Sequence, residues 1–229
     1  MVLTVFCVFW GDKYSPGYVY TLRDAVEQHL REPHEFVCIT TATLPGITTR
    51  LPPVSYSGWW QKIGLFSPTL AMGPSIYLDL DVVICGELDY LVEYANTPRG
   101  RLCAPANWAQ SGHGGIQSSV MAWSGWWDKP QREFDYPIDS ERFYGDQEYL
   151  WHLLGNDWIR LPGVCSYKYH CRGKQAPPAD ASVIAFHGRP DPHELEVNEP
   201  WILPFTSILR RHIKSNTACG SREALKRTG

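Results

Sequence analysis

The order of apolar and polar positions divides the first half of the chain into alternating elements. Val2 to Trp10 is a β-branched and aromatic run ending in the polar turn Gly11-Asp12-Lys13, which reads as a core strand. Ser15-Pro16 places a capping residue before a proline at the first helical position. Val19, Leu22, Val26 and Leu30 follow at helical spacing, predicting a helix to about Leu30. A second strand is expected over 35–41, a proline-rich loop over 43–55, and a short helix over 58–66 that Pro68 stops. The apolar run over 74–84 reads as a third strand.

This alternation argues for βαβ units and a parallel sheet. The second half is less regular. Strands are expected over 101–107, 116–123, 158–162 and 182–187, and a helix over 146–155 with Asp146 as its cap. No internal repeat, low-complexity segment or long linker interrupts the chain. The expectation is one α/β domain over 1–208, followed by a basic tail over 209–229.

The third strand carries an anomaly. Asp79 and Asp81 interrupt Ile76, Leu78, Leu80, Val82, Val83 and Ile84, and an ionised carboxylate in a dry interior must pair, neutralise or bind a metal. Strand alternation would put Tyr77, Asp79 and Asp81 on one face, the two aspartates roughly 6.6 Å apart. That spacing lets one carboxylate ligate a divalent cation while the other meets it through water or holds a bound hydroxyl. The cation would offset the cost of burying both charges. Such a pair would lie at the carboxyl end of its strand, where open α/β sheets collect ligands.

A second constellation stands more than 100 residues downstream, in the segment Val183-Ile184-Ala185-Phe186-His187-Gly188-Arg189. An imidazole at a strand end can serve as a third ligand, and nitrogen beside carboxylate oxygen suits Mn²⁺ more than Mg²⁺. Gly188 permits close backbone approach to a phosphate, and Arg189 offers a fork for its oxygens.

Composition narrows the partners. The 229 residues are 44% apolar and 20% charged, as in ordinary globular proteins, with a net charge of −3. Residues 209–229 hold six Lys/Arg against Glu223 alone, leaving 15 basic and 23 acidic residues in the body. That imbalance argues against a nucleic-acid-binding body and allows weak contact between the tail and an anionic membrane. Seven cysteines without CxxC pairs fit reduced thiols in the cytoplasm. Cys165, His170 and Cys171 lack zinc-site spacing, and the opening apolar run is too short to span a membrane. Gly112-His113-Gly114-Gly115 reads as a mobile loop able to close over substrate. The pairs Trp59-Trp60 and Trp126-Trp127 offer sugar-stacking faces or core packing.

In this order the motifs resemble a nucleotide-sugar glycosyltransferase with a DxD motif, of the glycogenin and bacterial galactosyltransferase group (family 8-like). The matching pieces are Asp12-Lys13-Tyr14-Ser15-Pro16-Gly17, Lys62 before the aspartate strand, Tyr77-Leu78-Asp79-Leu80-Asp81, Gln117 to Trp123, Asp146-Gln147, and His187-Gly188-Arg189-Pro190. They span residues 2–201. Arg189-Pro190 replaces a longer spacing to the family's basic residue, and Gln117-Ser118-Ser119 stands where an Asn-rich segment is common.

The resemblance implies a single Rossmann-like GT-A domain with a mixed central sheet flanked by helices. It also implies hexose transfer from a nucleotide sugar, with UDP-sugar as the family default, to an unidentified hydroxyl acceptor, with retention and with Mn²⁺ or Mg²⁺ as cofactor. By the same resemblance Asp12 and Tyr14 hold the nucleoside base, and Lys62 meets the diphosphate or donor sugar. Asp79 meets ribose and metal, Asp81 and His187 ligate the metal, and Asn107, Gln117 and Ser118 touch the donor sugar. Gly188 and Arg189 meet the phosphates, while Asp146 and Gln147 stand near the anomeric carbon as the catalytic pair. Two rival classes remain: a non-catalytic nucleotide- or sugar-binding protein of the same fold, and a DxD phosphatase. The phosphatase pattern wants Gly-Thr after the pair, where this chain has Val82-Val83.

Overall fold

The computed structural model describes residues 1–70, 73–97, 101–108, 115–125 and 127–226, with side chains to Lys214. In chain order the strands are β1 (Leu3–Val8), β2 (His34–Ile39), β3 (Thr48–Arg50), β4 (Pro74–Leu78), β5 (Val82–Ile84), β6 (Leu102–Ala104), β7 (Val120–Ser124), β8 (Trp158–Arg160), β9 (Val164–Ser166) and β10 (Val183–Ala185). The helices are α1 (Pro16–His29), α2 (Tyr90–Ala95), α3 (Lys129–Arg132), α4 (Tyr136–Arg142), α5 (Asp146–Leu154) and α6 (Leu203–Lys226). A 3-10 helix spans Gly58–Phe66 and a π-helical turn spans Tyr167–Cys171.

Seven strands form a mixed sheet in the order β3-β2-β1-β4-β7-β6-β8. The β3-β2-β1-β4 half is parallel, β7 runs antiparallel to both neighbours, and β8 is parallel to β6. A smaller sheet, β5-β10-β9, stands beside it. The expected mixed central sheet flanked by helices is present.

Both faces of the large sheet are covered, which explains why its strands read as nearly continuous apolar runs. Leu3, Val5 and Cys7 of β1, Ile76 and Leu78 of β4, and Val120 and Ala122 of β7 enter one core with α1. Phe6 and Val8, Tyr77, and Met121 and Trp123 point the other way, into a core built on Trp60, Ile63, Leu65 and Phe66 of the 3-10 helix and Leu150 of α5. At roughly 25 cal/mol per Å² of apolar area, each buried Val, Leu, Ile, Met or Phe among them contributes about 1.5–3 kcal/mol before entropy is set against it.

Several local expectations change. The proline-rich segment contains β3, because the β-branched pair Thr48-Thr49 adds a parallel edge to Val37 and Cys38. Ser15 is the cap position of α1, yet its hydroxyl makes no capping bond. The helix from residue 146 has Gly145 as its cap, and Asp146 is its first residue. Residues 74–84 are two strands in two sheets: β4 ends at Leu78, and Val82–Ile84 pair with β10. Asp79 and Asp81 therefore occupy the turn between sheets, where face alternation does not apply.

α6 crosses the boundary expected at 208/209, and Leu209 is wholly buried in the main core. The close approach of α6 to α1 depends on Gly17, where a Cβ would stand 2.8 Å from the backbone nitrogen of Ile213. No helix among the described residues is long and apolar enough to cross a membrane. The six described cysteines are unpaired.

Candidate active site

The site grows from the end of β4. The backbone nitrogen of Asp79 still donates to Ser119 O (2.8 Å), one step beyond the ladder with β7, and the chain then turns. Leu80 is buried in the main core, which anchors the turn from below and holds the flanking carboxylates above it. A cavity of about 340 Å³ opens there. It is lined by Lys62, Asp79, Asp81, Gln117, Ser118, Asp146, Gln147 and His187, together with Trp59, Ser119, Tyr144, Gly145, Glu148 and Phe186.

Lys62 is the electrostatic centre of this cavity. Its side chain is 11% exposed, and Nζ lies 2.9 Å from Asp79 Oδ1, 3.0 Å from Asp79 Oδ2 and 3.7 Å from Asp146 Oδ2. A solubilising surface role is thereby excluded. Burial lowers the affinity of this lysine for its proton, but Asp146 and Asp79 outweigh that effect and the pKa is raised. The Tyr77 hydroxyl also donates to Asp79 Oδ1 (2.5 Å).

Asp81 has different surroundings. It is 7% exposed and accepts the Tyr14 hydroxyl at 2.7 Å. Burial and the neighbouring Asp79 charge push its pKa up to about 7, against the opposing pull of Tyr14, Lys13 and Lys62. Asp146 is likewise raised by burial, with Lys62 and a hydrogen bond from Ser118 working against the shift. Its Oδ2 is buried without a hydrogen-bond partner. Asp79 and Asp81, the second reluctant to ionise, carry oxygen donors of the kind a divalent cation takes.

His187 lies two residues beyond β10. Its ring stacks on Tyr169 (centroids 5.6 Å, 25°) and meets the edge of Trp108 (6.1 Å, 76°), while Nε2 sits 2.7 Å from Ser166 Oγ. Burial, and then Lys168, lower its pKa and keep the imidazole neutral near pH 7, the form that ligates metals. Among the described residues no three His, Cys, Asp or Glu side chains stand as a ready-made metal cluster. The aspartates and His187 share a cavity without being closed on a common point.

The remaining expected residues divide among three places. Gln117 lines the main cavity, but its amide grips Ser119 from both ends, at 2.6 Å to the backbone nitrogen and 2.6 Å to Oγ. Gly188 and Arg189 line a neighbouring cavity of about 380 Å³ with Lys13, Asp191, His193 and Glu194. Arg189 is exposed and paired with Glu194, and Lys13 lies 3.6 Å from the buried Asp191. Asn107 belongs to a third cavity of about 460 Å³, with Trp108, Arg160, His170 and Asp180. Asp12 is exposed on the turn after β1. Gly112, His113 and Gly114 of the expected closing loop, and Trp126, lie outside the described residues.

Sequence reasoning missed Ser166, Tyr169, Lys13 and Asp191 as neighbours of the site. Ser166 and Tyr169 sit in a stretch whose visible signal was its cysteines and histidine, and nothing local marks a serine that reaches a residue 21 positions away. Asp191 follows the His187-Gly188-Arg189-Pro190 element directly, so its position was a usable signal.

No protein family profile matches the chain, and no curated protein sequence matches it. Solved structures do. A crystal structure of an active-site mutant of LgtC superposes with a TM-score of 0.62 at 15% identity, covering 90% of this chain and 95% of that one. The galactosyltransferase LgtC in complex with donor and acceptor sugar analogues gives 0.60 at 15% identity, over 92% and 96%. The apo form of the glycosyltransferase GlyE from Streptococcus pneumoniae TIGR4 gives 0.58 at 15% identity, over 94% of this chain and 64% of that one. The chain shares the fold of these glycosyltransferases.

Proposed function

We propose that this protein is a glycosyltransferase that moves a hexose from a nucleotide sugar, with UDP as the expected nucleotide, to a hydroxyl acceptor in a divalent-metal-dependent reaction. The observation that carries this reading is the gathering of Asp79, Asp81 and His187, from distant parts of the chain, in one cavity with Lys62 and Asp146. The fold shared with LgtC and GlyE supports it.

Asp79, Asp81 and His187 are the residues that would hold Mn²⁺, with Mg²⁺ as the second choice. Bound there, the cation would supply neutralisation of the negative charge that develops on a departing diphosphate. The chain's own groups have separable tasks. Lys62 is a fixed positive charge, held on two carboxylates and facing the place where donor charge would lie. Lys13 and Arg189 stand at the adjoining cavity, each partnered by an acid that a phosphate would displace.

Asp146 and Gln147 at the start of α5 are assigned to the sugar. A buried carboxylate 3.7 Å from Lys62 can stabilise positive charge growing at an anomeric carbon. Gln147 carries no group that ionises, so it serves as a hydrogen-bond partner and not as a base. Inversion would need a carboxylate base, for which Asp146 or Glu148 would serve; retention is the outcome that the family resemblance favours. The unpaired thiols support a reducing compartment such as the cytoplasm. The basic tail supports weak contact with anionic membranes, and the acidic body supports a partner list without nucleic acid.

Incubation with a panel of nucleotide sugars, with and without Mn²⁺, tests the assignment. Mn²⁺-dependent release of nucleoside diphosphate from one donor, through hydrolysis or transfer, is the expected result. Saturable donor binding without turnover would replace it with a binding protein of this fold. Metal-dependent phosphate release from simple monoesters, with no activity on nucleotide sugars, would replace it with a phosphatase.

A further inference from the structure

A ring nitrogen that ligates a metal is oriented by what the other ring nitrogen does, and that second contact sets tautomer and basicity. In this protein the second contact is already made. Ser166 ends β9 and is wholly buried, and its Oγ lies 2.7 Å from His187 Nε2. The serine cannot easily drift. Its backbone nitrogen donates to His170 Nδ1 at 2.9 Å, and its Oγ accepts the Tyr169 backbone N–H at 3.3 Å, where it caps the π-helical turn. The imidazole is also confined by rings, with Tyr169 stacked on its face and Trp108 presented edge-on. Among the described residues, Nδ1 of His187 has no hydrogen-bond partner, although the ring lines the cavity that holds Asp79 and Asp81.

We propose that Ser166 is the positioning residue of the site: it accepts the Nε2–H of His187 and so leaves the Nδ1 lone pair as the nitrogen that serves a cation held by Asp79 and Asp81. This rests on the metal assignment made above for the same cavity, and not on the identity of the donor or acceptor. Two neighbouring features agree with it. The Ser166 hydroxyl oxygen has two lone pairs and can accept the Tyr169 N–H and the His187 Nε2–H together, and the rings of Tyr169 and Trp108 confine the imidazole on two sides. Ser166 thereby acts at one remove from the chemistry, through the imidazole.

The test reads metal binding without any sugar donor. Free Mn²⁺ is titrated by electron paramagnetic resonance against wild type, Ser166→Ala, Ser166→Thr, His187→Ala and the Ser166→Ala/His187→Ala double variant. The ring protonation of His187 is read by ¹⁵N NMR on protein loaded with diamagnetic Cd²⁺. Ser166→Ala is expected to weaken Mn²⁺ binding about 10–100-fold. Ser166→Thr, which keeps the hydroxyl, should retain most of the affinity. In the His187→Ala background the second change should add nothing, which separates positioning from damage to the fold. The Cd²⁺-loaded wild type should carry its ring proton on Nε2. Metal on Nε2, an unchanged affinity in Ser166→Ala, or no Mn²⁺ binding by the wild type would each overturn the proposal. A protein that passes these tests yet turns over no nucleotide sugar would sink the proposed reaction alone.

Discussion

Tyr14 donates its hydroxyl to Asp81 Oδ2 at 2.7 Å across 67 residues of sequence. This bond joins the turn after β1 to the turn after β4, and it makes the Tyr14 phenol a partner of the aspartate pair. The same tyrosine packs against Tyr18 (4.6 Å between ring centroids), whose hydroxyl meets His193 Nδ1 on the wall of the adjoining cavity. The two cavities are therefore connected through a pair of aromatic rings on α1 and its entry turn.

Removing that bond should weaken metal binding in a pH-dependent way. Tyr14 stabilises the ionised form of Asp81, so Tyr14→Phe raises the Asp81 pKa further above about 7. A hydrogen bond to a charged group contributes on the order of 1.5–3 kcal/mol, or roughly ten-fold or more in affinity. Mn²⁺ titrations should show a loss of that size at pH 7 and a smaller loss at pH 8.5. An equal loss at both values would mean that the bond does not act through ionisation of Asp81.

The metal-free protein should lose stability as pH rises towards neutrality. The Asp81 pKa is higher in the folded state than in an unfolded chain, so the folded protein holds this proton more tightly. The contribution is complete below about pH 4, the unfolded carboxylate value, and is lost as pH rises through about 7. Asp146 is shifted the same way and adds to the slope. Urea denaturation in chelator from pH 4.5 to 8 should show Asp81→Asn flattening the dependence by a few kcal/mol. The amide variant should exceed wild type at pH 8 and lose metal-dependent turnover.

Lys62 should be required for stability as well as chemistry. Lys62→Met removes the cation from between Asp79 and Asp146 and leaves the half-buried Asp79 and the buried Asp146 carboxylates without it. Breaking a buried pair from one side costs about 3–5 kcal/mol. Pairing the change with Asp79→Asn should recover part of that loss, giving a coupling energy of about 1–3 kcal/mol in a double-mutant cycle. Strict additivity of the two changes would show that the ion pair does not stabilise the folded state.

Gly17→Ala should separate α1 from α6. The new methyl would meet Ile213 N at 2.8 Å and His212 C at 2.9 Å, both backbone atoms that cannot rotate away. An expected cost of about 1–3 kcal/mol follows from overpacking, and thermal unfolding should register it as a lower Tm. Metal binding should be unchanged, since the contact lies between helices and away from the aspartates.

Much of this protein is legible in one dimension. The β-branched runs of β1 and β2, the Pro16 helix start and the helix from residue 146 are local patterns with local causes, so the α/β class follows from the order of residues. The presence of Asp79 and Asp81 inside an apolar run could also be read, because burying a bare carboxylate is costly wherever it occurs. Three-dimensional packing decided the rest. A strand period written over 74–84 cannot show that the chain leaves one sheet for another at Asp79, since β5 owes its place to β10, a partner 100 residues away. Nor can spacing reveal that Asn107 and Arg189 face different cavities from the aspartates, that Gln117 is taken up by Ser119, or that Ser166 holds His187. Side-chain type is a property of each position. Which groups share a cavity depends on contacts between segments far apart in sequence, and those form only when both cores close.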